Sequence, residues 1–297
     1  MSTRARQVWL KLLRGAGVKQ FRAQSGLGLP FICHVGDFAG EAPFYHRAHS
    51  IKEIVLMSAW CSGIQNPVIV DVGANNGFIA TQLAQLLRER HPRIYAFEPV
   101  PSTFAQLKLA IDRLGLNEFI VPICCALSDT NDVARICYNP RESLFAQLRS
   151  DSTNPRVGGC SASAATLTLD QVISSLSLKL SLIKIDVEGF EAHVLRGAAN
   201  LLSMNEPPAL CFEWNPLTMA EVNSPPSDMA ELLAAYRCYY VDDFEGQRKP
   251  FGERVIKLDE LSWVANVFAV PQGWNNKWQR AIAEAESRLS DTRKRGR

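Results

Sequence analysis

The 297-residue sequence predicts an α/β fold, a mostly parallel seven-stranded sheet with helices on both faces. Three observations predict it. From Pro67 onward, short β-branched runs alternate with longer amphipathic segments, the pattern of βαβ units. The first such run, Val68–Val72, enters a glycine-rich turn that passes straight into a helix. Hydrophobic residues make up 47% of the chain and charged ones 21%, enough apolar material for a sheet covered on both faces.

The elements follow in order. Residues 1–24 interleave Arg4, Arg6, Lys11, Arg14, Lys19 and Arg22 with Val8, Trp9, Leu10, Leu12, Leu13 and Val18. This suits an amphipathic helix packing its apolar side on the core, with attachment to a membrane surface as the other reading. Residues 25–50 are rich in glycine, proline and histidine, and Ile51–Trp60 reads as a helix. Strands are expected at Val68–Val72, Arg93–Phe97, Phe119–Cys124, Ser181–Asp186 and Ala209–Glu213, with helices at Phe78–Arg90, Pro101–Leu114, Phe190–Met204 and Ser227–Arg237. The polar stretch 126–166 contains Gly158-Gly159 and a short alternating piece at Val133–Tyr138, which suits an inserted hairpin of the kind that shapes substrate sites. Cys238–Asp242 and Trp263–Val270 suit a terminal antiparallel pair that completes the seven strands, and 273–297 reads as an exposed helix with the basic end Arg293-Lys294-Arg295-Gly296-Arg297. The expected organisation is an N-terminal extension over 1–62, the main domain over 63–272, and the C-terminal helix and tail over 273–297.

Bulk properties exclude several classes. A formal net charge of +2 gives no electrostatic footprint for nucleic acid, and no basic strip interleaved with aromatics is present to stack single strands. The eight cysteines include no C-x-x-C pair and sit mostly in apolar stretches, as small core residues in a reducing compartment do. The N-terminus reads as no cleaved signal, and no apolar run approaches the ~18 residues of a membrane span, so a cytoplasmic location is expected.

The turn Asp71-Val72-Gly73-Ala74-Asn75-Asn76-Gly77 carries the first candidate site. Glycine lets backbone approach a ligand closely. A nicotinamide fingerprint G-x-G-x-x-G requires glycine where Asn75 and Phe78 stand, which opposes a dinucleotide oxidoreductase or epimerase. Asp71 at the strand end suits instead a ligand with a cationic amine and a sulfonium. The second strand ends in Phe97-Glu98-Pro99, and Glu98, 25 residues after Gly73, can accept from both hydroxyls of a ribose. Ser128 and Asp129, after the third strand, are candidates for the adenine amine, although a loop Ser-Asp also forms turns.

The most unusual segment is Lys184-Ile185-Asp186-Val187-Glu188-Gly189-Phe190-Glu191. With a period of two, Lys184, Asp186 and Glu188 share one face if the strand persists that far. Buried charges need partners, so a bridge from Lys184 to Asp186 or Glu188 is a structural reading, while a polar ligand is the functional one. Placed at the switch point beside the first strand, Asp186 or Glu188 could act as a base toward an alcohol, with Lys184 tuning the charge. Glu213, with Asn215, joins this candidate catalytic set as a holder of substrate. The same acids could collect magnesium or calcium, but no ligand spacing decides it and no metal residues are assigned. His46 and His49 have a metal-like spacing but no further nearby ligands and read as polar loop or helix residues, and His193 on the following helix is either an alternative base or an ordinary polar position on a helical face.

The motifs Val70-Asp71-Val72-Gly73-Ala74-Asn75-Asn76-Gly77-Phe78, Phe97-Glu98-Pro99, Ala126-Leu127-Ser128-Asp129, Thr168-Leu169-Asp170, the Lys184–Glu191 block, Val194-Leu195-Arg196-Gly197-Ala198 and Phe212-Glu213 together resemble the FkbM family of methyltransferases in order and spacing over about residues 67–215. The resemblance implies a Rossmann-like class I methyltransferase fold, S-adenosylmethionine as cofactor, and O-methylation of a hydroxyl on a saccharide, glycan or secondary metabolite. It also implies that Asp71, Gly73, Asn75 and Glu98 hold the cofactor and that Lys184, Asp186 and Glu188 line the pocket; Ala74 and Gly77 of the same turn join the candidate cofactor set. Asn76 departs from the family's usual small or apolar residue. The leader 1–62 and the segment after about 271 do not share the resemblance, and a non-catalytic cofactor-binding module stays open as a further reading.

Overall fold

A computed structural model describes residues 2–47, 49–139, 142–149, 160–222, 224–241 and 251–295. Gly158-Gly159, Asp242 and the terminal Gly296-Arg297 lie outside the described residues. The N-terminal part comprises α1 (Thr3–Gly15), β1 (Gln20–Gln24), β2 (Pro30–His34), α2 (Phe38–Tyr45) and α3 (Ile51–Cys61). The central part runs β3 (Val68–Val72), α4 (Phe78–Leu86), β4 (Arg93–Phe97), α5 (Pro101–Leu114), β5 (Ile120–Ile123), β6 (Ala126–Leu127), β7 (Asp132–Asn139), β8 (Glu142–Arg149) and β9 (Cys160–Leu167). Then come α6 (Leu169–Leu176), β10 (Leu182–Ile185), α7 (Glu191–Arg196), α8 (Ala199–Leu202), β11 (Ala209–Trp214), α9 (Pro216–Glu221), α10 (Pro226–Leu232), β12 (Tyr236–Val241), β13 (Phe251–Ile256), β14 (Ala265–Pro271) and α11 (Asn275–Arg295).

The main sheet has the order β13-β12-β14-β11-β10-β3-β4-β5. The run from β11 to β5 is parallel, and β14, β12 and β13 add antiparallel neighbours at the other side. Among the described residues the sheet thus has eight strands rather than seven. The extra edge strand, β13, escapes sequence reading because Gly252, Glu253 and Arg254 interrupt its apolar character.

Alternation along the parallel strands divides the core. Ile69, Ile94, Leu182, Ala209 and Phe268 point to one face, against α3, α4, α5 and α11. Val70, Tyr95, Ile183, Leu210 and Val267 point to the other, against α6, α7, α8 and α10. Each strand is apolar on both sides because helices cover both. A second sheet, β6-β9-β7-β8, grows from the insertion after β5, so Val133–Tyr138 belongs to a larger unit than a hairpin.

Several expected elements take a different form. The single helix expected over 190–204 breaks into α7 and α8. Gly197 sits where an added Cβ would lie 2.0 Å from the Ser128 carbonyl oxygen, and the Asp170 carboxylate accepts from Asn200 N and Leu201 N at 2.9 Å each, starting a new helix. The leader holds an antiparallel hairpin, β1–β2, that its glycines and prolines concealed. Helix α1 does not pack its apolar side on the core: Leu10 is its one buried residue, while Val8, Trp9 and Leu12 are exposed. Five of the eight cysteines are buried, and Cys124 and Cys160 are exposed. No described helix is long and apolar enough to cross a membrane.

Helix α11 is half buried rather than exposed. Its Trp278 has no accessible surface, stacking on Tyr239 and Phe268 with ring centroids 4.4 and 5.3 Å away. Arg288 donates to Ser58 Oγ at 2.7 Å, and Ser62 Oγ donates to Glu284 Oε2 at 2.7 Å, tying α11 to α3. Replacing this fully packed indole leaves a large cavity, so Trp278→Ala should cost about 3–5 kcal/mol in urea unfolding.

Candidate active site

At the carboxyl ends of β3 and β10, where the strand order reverses, lies a cavity of about 800 Å³, within the ~300–1,000 Å³ typical of small-molecule sites. Its floor is the turn after β3. Gly73 has φ +74°, and an added Cβ would lie 1.9 Å from the Asp186 carbonyl oxygen, so only glycine lets the two strand ends approach. Asn75 also takes a left-handed conformation, at φ +50°. Gly73, Ala74 and Asn75 line the cavity as expected. Gly77 does not: at φ +82° it starts α4, and its missing side chain makes room for Leu107 of α5.

Glu98 lines the cavity from the end of β4 and is 5% exposed. Its Oε2 accepts from Asn75 N and its Oε1 from Val100 N, both at 2.9 Å. Burial pushes its pKa up to about 7, against the pull of those two N–H groups. The carboxyl therefore holds the Gly73–Asn75 turn in shape and keeps lone pairs for a ligand. Cys125, Ala126 and Leu127 continue the wall, but the expected Ser128 and Asp129 lie beyond it. Ser128 is buried with its hydroxyl donating to Asp129 Oδ1 at 3.1 Å, and Asp129 is exposed.

Below the turn sits a charged knot. Lys184 and Asp71 are register partners on adjacent parallel strands, so their side chains leave the same face. Lys184 Nζ is 3.4 Å from Asp71 Oδ1 and 3.3 Å from Asp186 Oδ2, and it donates to the Gly73 carbonyl at 3.3 Å. Burial alone would lower the ammonium's pKa, but Asp186, Asp71 and Glu53 outweigh it and raise the value. Burial raises that of Asp71, which is wholly enclosed and not part of the cavity wall. The Lys184–Asp186 bridge is thus present, and Asp71, not Glu188, is the second partner.

The strand alternation expected through Glu188 stops at Ile185, where β10 ends. Glu188 has φ +52° and Gly189 φ +101°. The turn is held by the buried Glu191, whose Oε1 accepts from Val187 N at 3.1 Å and Gly189 N at 3.3 Å. Asp186 and Glu188 nonetheless both reach the cavity, joined by Glu213 and Asn215 from the end of β11. Oxygens of Asp186, Glu188 and Glu213 lie within 4.8 Å of one another, a spacing a hard divalent cation also accepts. Burial, with Asp186 and Glu191 nearby, pushes Glu213 up to about 8. His193 stays outside the wall, its ring 5.0 Å from that of Phe190.

Sequence reading assigned no residue of the leader to the site. Ala39, His46, His49, Ser50 and Glu53 line the cavity together with Ile136 of the inserted sheet and Asn266 of β14. Ser50-Ile51-Lys52-Glu53 has the spacing of a helix capping box, which disguises Glu53 as a local device. Ser50 makes no side-chain cap bond; Glu53 is 5% exposed and accepts from Cys211 Sγ at 3.7 Å. His49 faces the same charges: burial lowers its pKa and Asp186 opposes that shift.

Removing the ammonium would strand Asp71 in an enclosed site. Lys184→Met should cost about 3–5 kcal/mol in urea unfolding, and adding Asp71→Asn should restore part of that loss, as a double-mutant cycle reads directly.

The family model described as the methyltransferase FkbM domain matches residues 71–240. The hexuronic acid methyltransferase AglP of Haloferax volcanii is 28% identical over 139 residues, 46% of this chain and 52% of AglP, so the chain spans about half of that curated relative. Among solved structures, an FkbM methyltransferase from Methylobacillus flagellatus aligns at a TM-score of 0.43 and 16% identity, over 69% of this chain and 44% of that one. A SAM-dependent O-methyltransferase from Thermotoga maritima aligns at 0.40 and 11%, over 73% and 64%. The family match takes in more than half of the sequence and every charged residue of the knot beneath the turn, and the chain belongs to the FkbM methyltransferase domain family.

Proposed function

We propose that this methyltransferase uses S-adenosylmethionine to methylate a hydroxyl oxygen of a neutral saccharide or a related metabolite. The observation that carries the reading is the gathering of Asp186, Glu188 and Glu213 beside the turn after β3. The cavity fits the cofactor in shape and donor set. Gly73, Ala74 and Asn75 line the floor, Glu98 offers carboxylate lone pairs for a ribose diol, and the acidic wall complements a cationic sulfonium and amine. When bound, the cofactor supplies an electrophilic methyl group.

The chain's own residues supply positioning and a proton acceptor. Direct displacement needs the acceptor oxygen held in line, and much of the rate comes from that placement. Asp186 is anchored by Lys184, Glu188 is fixed by the left-handed turn, and Glu213 is the acid with the raised pKa. A base with a pKa near the working pH is effective, so Glu213 is the preferred acceptor of the hydroxyl proton, and Asp186 and Glu188 orient the sugar. The likeness to a hexuronic acid methyltransferase supports a sugar acceptor, while the carboxylates around the cavity disfavour an ionised uronate and favour a neutral ring. The segment 63–272 carries the methyl-donor side, and the extension 1–62 closes the acceptor side.

Titration calorimetry with S-adenosylhomocysteine tests the donor half: binding is expected, and Glu98→Gln should weaken it roughly 10–100-fold by disturbing charge-assisted hydrogen bonds. Absence of binding to the unmodified protein would end the reading. Labelled S-adenosylmethionine offered with neutral and acidic oligosaccharides tests the acceptor half. Because Glu213 must be ionised to take a proton, kcat/KM should rise as pH passes about 8, and Glu213→Gln should lower kcat about 10²–10⁴-fold and remove that rise. Loss of activity with a chelator would move the three acids to cation binding instead.

A further inference from the structure

Helix α1 turns its apolar side outward. Val8 and Leu12 lie one turn apart, Ala5 and Trp9 form the adjacent row, and both rows are on the side away from buried Leu10. Val8, Trp9 and Leu12 are 57%, 45% and 61% exposed, although the helix is strongly amphipathic. The body-facing side is held instead by polar contacts: Arg14 Nη2 donates to both oxygens of Glu41, at 2.8 and 3.0 Å, and Arg6 Nη1 donates to the Phe44 carbonyl at 3.3 Å. These bonds fix the rotation of α1 about its axis and so fix which side faces away.

Charge identifies what that side meets. Residues 1–36 contain six lysines and arginines and no aspartate or glutamate, in a chain whose net charge is only +2. Arg4 and Lys11, both exposed, lie together along one edge of the apolar row. An aliphatic row gives nothing to a nucleic-acid backbone, and flanking cations oppose a second copy of the same face. A helix of 13 residues is too short to span a bilayer but suits its interface, with Trp9 at headgroup depth and cations on anionic phosphates. We infer that α1 docks the protein in the plane of an anionic lipid bilayer, with Val8, Trp9 and Leu12 inserted and Arg4 and Lys11 on the headgroups.

The test is co-sedimentation of the full chain with vesicles of phosphatidylcholine, alone or mixed with phosphatidylglycerol. Binding to the mixed vesicles is expected, weakening as salt rises. Val8→Glu with Leu12→Glu should weaken it more than about tenfold, and Arg4→Gln with Lys11→Gln about fivefold per cation removed. These positions are exposed, so both variants should keep the unmodified protein's melting midpoint. A second measurement needs no disruptive variant: brominated lipid should quench tryptophan emission, and less so in Trp9→Phe. Undiminished vesicle binding by the double glutamate variant overturns the inference. So does a dimer in light scattering that this variant dissociates, or retention by single-stranded RNA without any by vesicles.

Discussion

The site rests on one buried ammonium. Lys184 stands on the middle strand of the switch point, and its nitrogen meets Asp71, Asp186 and the Gly73 carbonyl within 3.4 Å. Those three groups belong to two chain segments far apart in sequence, and the in-register pairing of β3 with β10 brings them together. Asp71, wholly enclosed, could not stay ionised beside a second carboxylate and a carbonyl without a cation among them. The cation in turn ties the turn after β3 to the loop after β10. The missing Cβ of Gly73 is the steric half of the same arrangement, because the Asp186 carbonyl occupies the place a side chain would need.

Around this knot, burial divides the carboxyls by role. Glu98 and Glu191 are both pushed up to about 7 by desolvation, and both spend oxygens on backbone N–H groups of turns. They act as internal caps for segments that have no regular ladder of their own, including residues 75 and 188 with positive φ. Glu213 lines the cavity as Glu98 does, but on the acidic side with Asp186 and Glu188. Its elevated pKa arises from burial together with the neighbouring charges of Asp186 and Glu191, so its protonation depends on the same loops that Lys184 and Glu191 hold in place.

Much of this was legible in the sequence because it is local. The β3 turn, the acid at the end of β4 and the charged strand each carry their pattern within a dozen residues, and strands β3 and β4 fall at the expected bounds. What stayed hidden depends on tertiary contact. The break at Gly197 comes from a carbonyl 2.0 Å from where its side chain would be, and Asp170 starts the next helix from outside it. Glu53 looks like a capping residue until α3 is laid across the sheet, and Trp278 looks like one apolar residue on a charged helix until it stacks on Tyr239 and Phe268. Ser128 and Asp129 follow the third strand as expected, but the wall ends one residue earlier, at Leu127.

The leader's place in the wall has an evolutionary consequence. Ala39, His46, His49, Ser50 and Glu53 line the cavity, whereas the turn, Glu98 and the lysine knot come from segments that follow α3. Changes in that short N-terminal stretch can reshape the cavity without touching the turn, Glu98 or the lysine knot. Selection then has a separable module to vary, and swapping it between relatives is a direct route to redesigned selectivity.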